Sequence, residues 1–470
     1  MNKITRLILP AIAALAACNA PAGESRAQEQ LQEPSRRAPA DVQSMKTSFA
    51  PVAKRAGPAV VNVYARRLVR QRDPFFEMFG GGVPQARVQQ SLGSGVIVRA
   101  DGVVVTNNHV VQGGQEFMVV LADRREFPAK VLLADPRTDL AVLKIDPGSE
   151  RLPVLPIDDR EELEVGDLVL AIGNPFGVGQ TVTNGIISAL NRTADPNGLD
   201  ASAFIQTDAS VNPGNSGGAL VDMDGDLIGV PTFILSRSGT SSGVSFAIPA
   251  AMVRRVVETA VGGGQVVVRP WLGAKTDTVT SDLARSLGLS RPEGVLVSSL
   301  YPGSPAARAG LREGDVITAV DGAVVDNAAG LNYRVATNRP GETVELRILR
   351  DGKAQTVRAR LEPPPASPAR EERLLQGAHP LTGATVVNLS PAVADELGAD
   401  PFAGRGVIIT KPGRNYAAAA GFRSGDIVRE INGVEIGSTT ELQRVLQAGA
   451  RIWRVTIERD GRLVSGTFRG

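Results

Sequence analysis

The stretch NPGNSGGALV, residues 212–221, sets a serine after Gly-Asn and before two glycines, and an apolar run follows it. Glycine adopts backbone conformations that other residues avoid, so the chain can turn tightly here. Such a turn directs the amides of Gly214 and Ser216, with Asn215 between them, to one point beside the Ser216 hydroxyl. Acyl transfer requires this combination of a nucleophilic oxygen and fixed donors for an oxyanion. A plain Gly/Asn/Ser turn between two strands is the alternative.

Histidine is scarce, because the chain holds only two, His109 and His379. His109 follows a β-branched run and a short polar turn, whereas His379 lies beside a Pro-rich segment, so His109 is the predicted partner of Ser216. An acid must hold the imidazole in the right tautomer, and Asp139, at the start of the apolar run 140–145, is the predicted acid. The rival carboxylates, expected to be turn or surface residues, are Asp123, Asp135 and Asp208. The order His, Asp, Ser is the chymotrypsin order.

Composition limits the function classes. A chain of 470 residues predicts about three domains, and 51 Gly with 31 Pro favour short strands between turns over a helical bundle. The net charge of +2 gives no electrostatic case for nucleic acid. The sequence has no metal-ligand cluster, Walker-type glycine loop or dinucleotide fingerprint, so neither a metal nor a cofactor is predicted.

Several motifs in order resemble the HtrA (Deg) family of serine proteases. They are GSGVIV at 93–98, TNNHVV at 106–111, DLAVLKI at 139–145, IGNPFG at 172–177, GNSGGALV at 214–221 and SFAIP at 245–249. The match runs from about Phe49 to the C-terminus. It implies a mainly β fold, in which a chymotrypsin-like antiparallel double β-barrel is followed by PDZ domains, small α+β units.

Short β-branched runs in the expected protease domain, residues 45–262, fit the double barrel because no βαβ spacing occurs. The predicted strands are 59–64, 95–98, 103–106, 117–121, 141–145, 167–172, 185–190, 204–207, 219–221 and 227–230. A closing helix is predicted over 249–261. His109 and Asp139 then belong to the first barrel and Ser216 to the second, with the site in the cleft between them.

The rest of the chain repeats itself: Pro302-Gly303 recurs 110 residues later as Pro412-Gly413, each followed by an Ala-Gly and Gly-Asp pattern. This pattern resembles PDZ domains, expected at 266–362 (the first repeat) and 379–470 (the second repeat), with a Pro-rich linker at 363–378. PDZ domains hold a peptide carboxylate in a backbone nest. In the first repeat the nest is expected at Trp271, Leu272, Gly273 and Ala274, opposite a helix near 328–336. In the second repeat, which is expected either to bind peptides or to be purely architectural, it is expected near 382–385.

Specificity and regulation have weaker signals. Ser210, six residues before Ser216, is not an acid, so no preference for Lys or Arg before the cut is predicted. The predicted pocket residues, with the core as their alternative, are Ser210, Phe233, Ile234 and Leu235. By resemblance, Arg192 belongs to a sensor loop that relays PDZ occupancy, or else is a solvated turn arginine. Phe75, Phe76 and Phe79 lie in a loop that crosses to a neighbouring subunit of a trimer, or else pack on their own barrel.

The N-terminus predicts export. Residues 1–20 have a basic start and a short apolar core, as in a signal peptide, and residues 21–44 form a flexible tether. Leu15-Ala16-Ala17-Cys18 resembles a lipobox, which predicts lipidation at Cys18; ordinary cleavage downstream is the alternative. The periplasm is the expected location.

The resemblance therefore implies an ATP-independent serine endopeptidase of envelope protein quality control, which cuts unfolded or damaged proteins and binds C-terminal peptides at the first repeat. One alternative is a non-hydrolytic peptide-binding chaperone or scaffold on the same fold. The other is a signalling protease with one membrane partner, which two PDZ domains and the lack of a spanning helix disfavour.

Overall fold

Six antiparallel strands close into a first barrel in the order β1-β2-β3-β6-β5-β4. A computed structural model describes residues 48–71, 85–159, 163–174, 179–193, 203–212, 214–234, 243–413 and 416–469. The elements of this part are α1 (Ala50–Ala56), β1 (Val60–Gln71), β2 (Gln85–Arg99), β3 (Val103–Asn107), α2 (Asn108–Val111), β4 (Glu116–Val120), β5 (Glu126–Asp135) and β6 (Leu140–Ile145). Closure pairs every strand on both sides and leaves no sheet edge exposed.

A second six-stranded barrel follows in the order β10-β11-β12-β9-β8-β7. Its elements are β7 (Leu168–Gly173), β8 (Thr181–Thr193), β9 (Ala203–Thr207), β10 (Ala219–Val221), β11 (Leu227–Ile234), β12 (Ser245–Pro249) and the closing helix α3 (Ala250–Val261). Helix α3 buries Met252, Val253, Val256 and Val257, the spacing of one apolar helix face. These residues share one core with both barrels, which fixes the cleft between them.

The first repeat forms a sheet in the order β13-β14-β15-β17-β18, and β16 pairs with β15. Its elements are β13 (Ala274–Thr278), α4 (Ser281–Ser286), β14 (Val295–Leu300), α5 (Pro305–Arg308), β15 (Val316–Val320), β16 (Ala323–Val324), α6 (Ala328–Thr337), β17 (Thr343–Arg350) and β18 (Lys353–Arg360). Strand β13 is an edge of this sheet, with helix α6 nearby. The side-chain oxygen of Asn327 caps α6 by accepting from the Gly330 amide.

The second repeat forms a similar sheet with one strand more, in the order β19-β20-β21-β22-β24-β25, and β23 pairs with β22. Its elements are β19 (Arg373–Leu374), β20 (Thr385–Asn388), α7 (Pro391–Leu397), β21 (Val407–Lys411), α8 (Tyr416–Ala419), β22 (Ile427–Ile431), β23 (Val434–Glu435), α9 (Thr439–Gln447), β24 (Ile452–Arg459) and β25 (Arg462–Arg469).

An equivalent ion pair supports the kinship of the two repeats. Asp315 and Asp426 have side chains that are each 1 % exposed, and they bind Arg350 and Arg459, both with a shortest N–O distance of 2.6 Å. In each case the guanidinium also donates to a backbone carbonyl, that of Gly310 or of Gly421. The repeated Gly-Asp pattern therefore marks a buried carboxylate that needs a paired arginine.

Most sequence expectations about the elements agree with this fold, since each predicted strand overlaps an observed one and the predicted helix is α3. Two strands of the barrels were not predicted, β5 and β12. The linker predicted over 363–378 requires correction, because Arg373 and Leu374 form β19 and belong to the second sheet. The stretch has little strand propensity of its own, and pairing with β20 sets its conformation.

Candidate active site

His109 and Asp139 meet at one end of the first barrel. His109 lies on the single turn α2, directly after β3, and Asp139 immediately precedes β6, which pairs with β3. The imidazole Nδ1 is 2.7 Å from Oδ2 of Asp139, and the His109 amide donates to Oδ1 at 2.9 Å. The carboxylate side chain is 8 % exposed and the imidazole 47 %. The acid is thus enclosed, while the imidazole faces the cleft.

Asp139 is held in an uncommon backbone conformation, with φ at +56°. Its carbonyl accepts hydrogen bonds from the amide of Asn108 at 2.9 Å and from Nδ2 of Asn107 at 3.0 Å. A non-glycine residue remains in the left-handed region only where its surroundings over-determine it. These two bonds, together with the carboxylate's contacts to His109, are that constraint.

Thr232 connects the acid with the serine, and sequence reasoning missed it. Its hydroxyl donates to Oδ2 of Asp139. Its carbonyl accepts from the Ser216 hydroxyl at 3.2 Å. In the described ranges no hydrogen bond joins Ser216 to His109 directly. The predicted strand ended at Val230, before a proline; the observed β11 continues, and its pairing shifts between Pro231 and Phe233, where Thr232 lies.

The serine loop is anchored to the first barrel through Ser94, a residue of the quoted GSGVIV motif. Its hydroxyl donates to the Gly214 carbonyl at 2.6 Å, and its amide donates to the Ser216 carbonyl at 3.0 Å. Gly217 has φ of +82°, and a Cβ there would lie 2.3 Å from the Ser94 carbonyl oxygen. Only glycine fits this position.

The amides of Gly214 and Ser216 donate to no acceptor within the described ranges, so both can bind an incoming oxygen. The intervening Asn215 amide bonds instead to the Asn212 carbonyl at 2.9 Å. The Asn215 side chain is buried and has no hydrogen-bond partner among the residues that the structure describes. It fills the space beside Gly173, where a Cβ would lie 2.5 Å from its Oδ1.

The rival carboxylates have other partners. Asp123 pairs with Arg125 at the surface, and Asp208 accepts from the Ile186 amide at 2.7 Å. Asp135 forms a largely buried ion pair with Arg269 at 2.6 Å. Of the four candidate carboxylates, Asp139 is therefore the one that contacts His109.

Of the four predicted pocket residues, the structure describes the side chains of Ser210 and Phe233. Ser210 is half-buried, and its carbonyl accepts from the Thr183 hydroxyl at 2.8 Å. Phe233 packs on Phe246 and Phe204, with ring centroids 4.9 Å and 5.2 Å apart, and is part of the core. Ile234 ends β11. Leu235 lies outside the described residues.

Arg192 is exposed on β8 and pairs with Phe204 of β9. The adjacent Asn191 approaches helix α6 of the first repeat, because a Cβ on Gly330 would lie 3.9 Å from the Asn191 Cβ. Phe75, Phe76 and Phe79 lie outside the described residues, as does Cys18.

A cavity of about 360 Å³ lies at the expected peptide groove of the first repeat. It is lined by the segment Trp271–Thr276, by helix α6, and by residues of the second repeat and the first barrel. In the described part of the chain the amides of Leu272 and Gly273 donate to no acceptor. The expected nest, the edge strand β13 and helix α6 therefore line one groove.

In the corresponding loop of the second repeat, three successive amides donate to carbonyls of the chain itself. Thr382, Gly383 and Ala384 donate to the carbonyls of His379, Leu375 and Leu381, at 3.1, 2.9 and 3.1 Å. The nest expected near 382–385 is thus satisfied by the chain itself.

Known families and solved proteins match this arrangement. The Trypsin-like peptidase domain family matches residues 93–230, and PDZ domain families match 270–361 and 409–459. A probable periplasmic serine endoprotease DegP-like from Marinomonas sp. (strain MWYL1) is 38% identical over 420 residues, covering 84% of this chain and 87% of its own. The periplasmic pH-dependent serine endoprotease DegQ of Escherichia coli (strain K12) is 38% identical over 421 residues, with 88% and 89% covered. The chain belongs to the HtrA (Deg) family.

Solved HtrA structures agree with this assignment. The HtrA-type protease AlgW with decapeptide is 44% identical, has a TM-score of 0.51, and covers 68% of this chain and 99% of its own. This HtrA chain is a serine endopeptidase with a trypsin-like domain and two PDZ domains, and the non-hydrolytic alternative is not favoured. The first and second repeats are called the first and second PDZ domains below.

Two further findings concern the described ranges only. None of their helices combines the length and apolarity needed to cross a bilayer. No three His, Cys, Asp or Glu side chains there gather closely enough to hold a metal ion.

Proposed function

We propose that His109, Asp139 and Ser216 form the catalytic triad. Ser216 attacks the peptide carbonyl, His109 takes its proton and returns it to the leaving amine, and Asp139 orients and stabilises the imidazolium. The observation that carries this role is the 2.7 Å contact between Nδ1 of His109 and Oδ2 of Asp139, with Thr232 bridging that carboxylate to Ser216. For attack the serine hydroxyl must leave the Thr232 carbonyl and donate to Nε2 of His109.

The oxyanion hole of this proposal consists of the amides of Gly214 and Ser216. Both lack other acceptors in the described ranges, while the loop around them is tied to Ser94. Asn215 contributes through the turn, since its own amide is occupied. Removal of one such donor costs about two to three orders of magnitude in kcat.

The substrates of this proposal are unfolded or damaged proteins of the periplasm, cut without ATP. The relatives named above are periplasmic endoproteases. The exposed C-termini of these substrates bind to the first PDZ domain. There the peptide extends the sheet at the edge strand β13, and the amides of Leu272 and Gly273, in the Trp271–Ala274 nest, hold its carboxylate. Arg192 relays occupancy, a role supported by the contact between its strand β8 and helix α6.

The remaining elements of the proposal concern assembly and export. The chain forms homotrimers through the loop that carries Phe75, Phe76 and Phe79, and residues 1–20 direct export with lipidation at Cys18. The protease domain spans 45–262 and the first PDZ domain 266–362. Mass spectrometry of the mature N-terminus tests the lipid anchor, and sedimentation equilibrium tests the trimer.

One experiment tests the catalytic proposal. Unfolded casein is incubated with the wild type, Ser216→Ala and His109→Ala, and each protein is also treated with a serine-directed fluorophosphonate. We expect casein cleavage and labelling by the wild type only. Equal casein stability in all three samples would instead favour a peptide-binding scaffold.

A further inference from the structure

The two PDZ domains differ at the edge where a PDZ ligand adds. In the first domain β13 is the terminal strand of its sheet. In the second domain the equivalent strand, β20, is covered by β19, which comes from the chain just before the domain. The pairing is antiparallel, as for a peptide that extends a sheet by β-augmentation.

The backbone contacts extend beyond the two residues of β19. Arg373 pairs with Val386 and Leu374 with Thr385. The Leu375 amide donates to the Ala384 carbonyl at 2.9 Å, and at the other end the Asn388 amide donates to the Arg370 carbonyl at 2.7 Å. The segment 370–375 thus follows the whole length of β20.

The end of this segment lies in the nest loop. The Gly383 amide donates to the Leu375 carbonyl at 2.9 Å, the position that a ligand carboxylate would take. The Leu375 side chain is 4 % exposed and belongs to the core cluster that includes Leu381, Leu442 and Leu446. Leu442 and Leu446 lie on α9, so Leu375 occupies the apolar site between nest loop and helix.

Side chains of the segment also contact α9 directly. Arg373 donates to the side-chain oxygens of Gln443 and Thr440, the second at 3.2 Å. The Thr439 hydroxyl donates to Glu371 at 3.1 Å. The segment therefore lies between the edge strand and the helix, the two walls of a PDZ groove.

We infer that residues 370–375 are an intramolecular ligand of the second PDZ domain, with Leu375 in the place of a ligand's C-terminal residue. While the segment is bound, this domain does not take substrate C-termini, and peptide capture belongs to the first domain. A ligand tethered by a short stretch of chain has an effective concentration on the order of millimolar. A free peptide at micromolar concentration is then at a disadvantage of about 1,000-fold.

Counting peptide sites tests this inference. The probe is a fluorescein-labelled peptide with the sequence of residues 370–375 and a free C-terminal carboxylate, titrated into the full chain carrying Ser216→Ala. Leu375→Asp places a charge in the apolar site and should release the segment. Leu374→Asp is the matched control, because this side chain is 59% exposed. We expect one additional site per chain in Leu375→Asp relative to both the control and the parent chain.

The first PDZ domain contributes equally to all three proteins, so the difference reports the second domain alone. A parent chain with the same number of sites as Leu375→Asp would overturn the inference. Hydrogen exchange on the parent chain covers the case in which Leu375→Asp fails to fold. The amides of Leu375 and Gly383 should then exchange as slowly as the sheet amide of Ile409, and exchange as fast as an exposed turn would also overturn it. Both tests are independent of hydrolysis, which the casein experiment measures separately.

Discussion

At the scale of single residues, Thr232 is the contact on which the geometry of the site depends. Thr232→Val keeps the shape of this buried side chain and removes the donor to Asp139. A hydrogen bond to a charged group contributes about 1.5–3 kcal/mol. We therefore expect kcat/KM on a quenched fluorescent peptide to fall about 10- to 100-fold. Thr232→Ser retains the hydroxyl and should remain close to the wild type; equal values for the two variants would contradict this role.

Gly217 supports a second prediction at this scale. Gly217→Ala places a Cβ 2.3 Å from the Ser94 carbonyl oxygen, at a φ of +82°. Backbone atoms cannot yield as a flexible side chain would, so the serine loop must shift, and with it the amides of Gly214 and Ser216 that we propose as oxyanion donors. We expect fluorophosphonate labelling to slow by about 100-fold or more. Gly263→Ala is the control, since its φ of +81° is similar and nothing lies within 4 Å. Equal labelling of the two variants would show that the loop tolerates the shift.

At the scale of elements, the strands that could be predicted from the sequence are those marked by a local apolar run. The apolar runs before His109 and after Asp139 lie in β3 and β6, and antiparallel pairing of these strands brings the two residues together. Strand β5 escaped prediction because Pro128, which cannot donate to a strand ladder, lies near its start. Strand β19 escaped because its conformation depends on pairing with β20, a contact that no local pattern encodes. Thr232 escaped for a related reason, since a pairing shift next to Pro231 sets its direction.

The second PDZ domain allows a prediction of pH dependence. Burial lowers the pKa of the His379 imidazole below its usual 6.5, and hydrogen bonding to the Gln376 carbonyl only partly opposes this shift. Below pH 6.5 the unfolded chain therefore binds more protons than the folded domain, and stability falls as the pH decreases from that value toward the lowered pKa. Trp453, 6.2 Å from His379 between ring centroids, reports unfolding by fluorescence once Trp271→Phe removes the other tryptophan. We expect a lower urea midpoint at pH 5.5 than at pH 7.5, and a smaller difference in His379→Gln. The same difference in both proteins would assign the effect to other groups.

At the scale of the whole molecule, the second PDZ domain contacts both other domains around the 360 Å³ groove. Its Asp400 pairs with Lys275 on β13 at 2.8 Å. Its Phe402 packs near Trp271 and Tyr301, with ring centroids 6.2 and 6.0 Å away. A domain that fills its own groove is thereby positioned as a wall of its neighbour's groove.

The contact between Arg137 and Asp395 joins the second PDZ domain to the protease domain two residues before Asp139. The atoms Nη1 and Oδ2 are 2.8 Å apart, and the side chains are 20% and 26% exposed, so solvent screens the pair only in part. Contacting charges of this kind couple by about 0.5–3 kcal/mol. We expect Asp395→Arg to speed hydrogen exchange across 391–402 by about fivefold, since like charges then face each other, and Arg137→Asp in the same chain to restore slow exchange. The control is the single change Arg137→Asp, which also sets like charges opposite each other and should speed exchange by a similar factor. If the double variant Asp395→Arg with Arg137→Asp does not regain slow hydrogen exchange, the domain is held in place by the aromatic contacts at Phe402 and not by this ion pair.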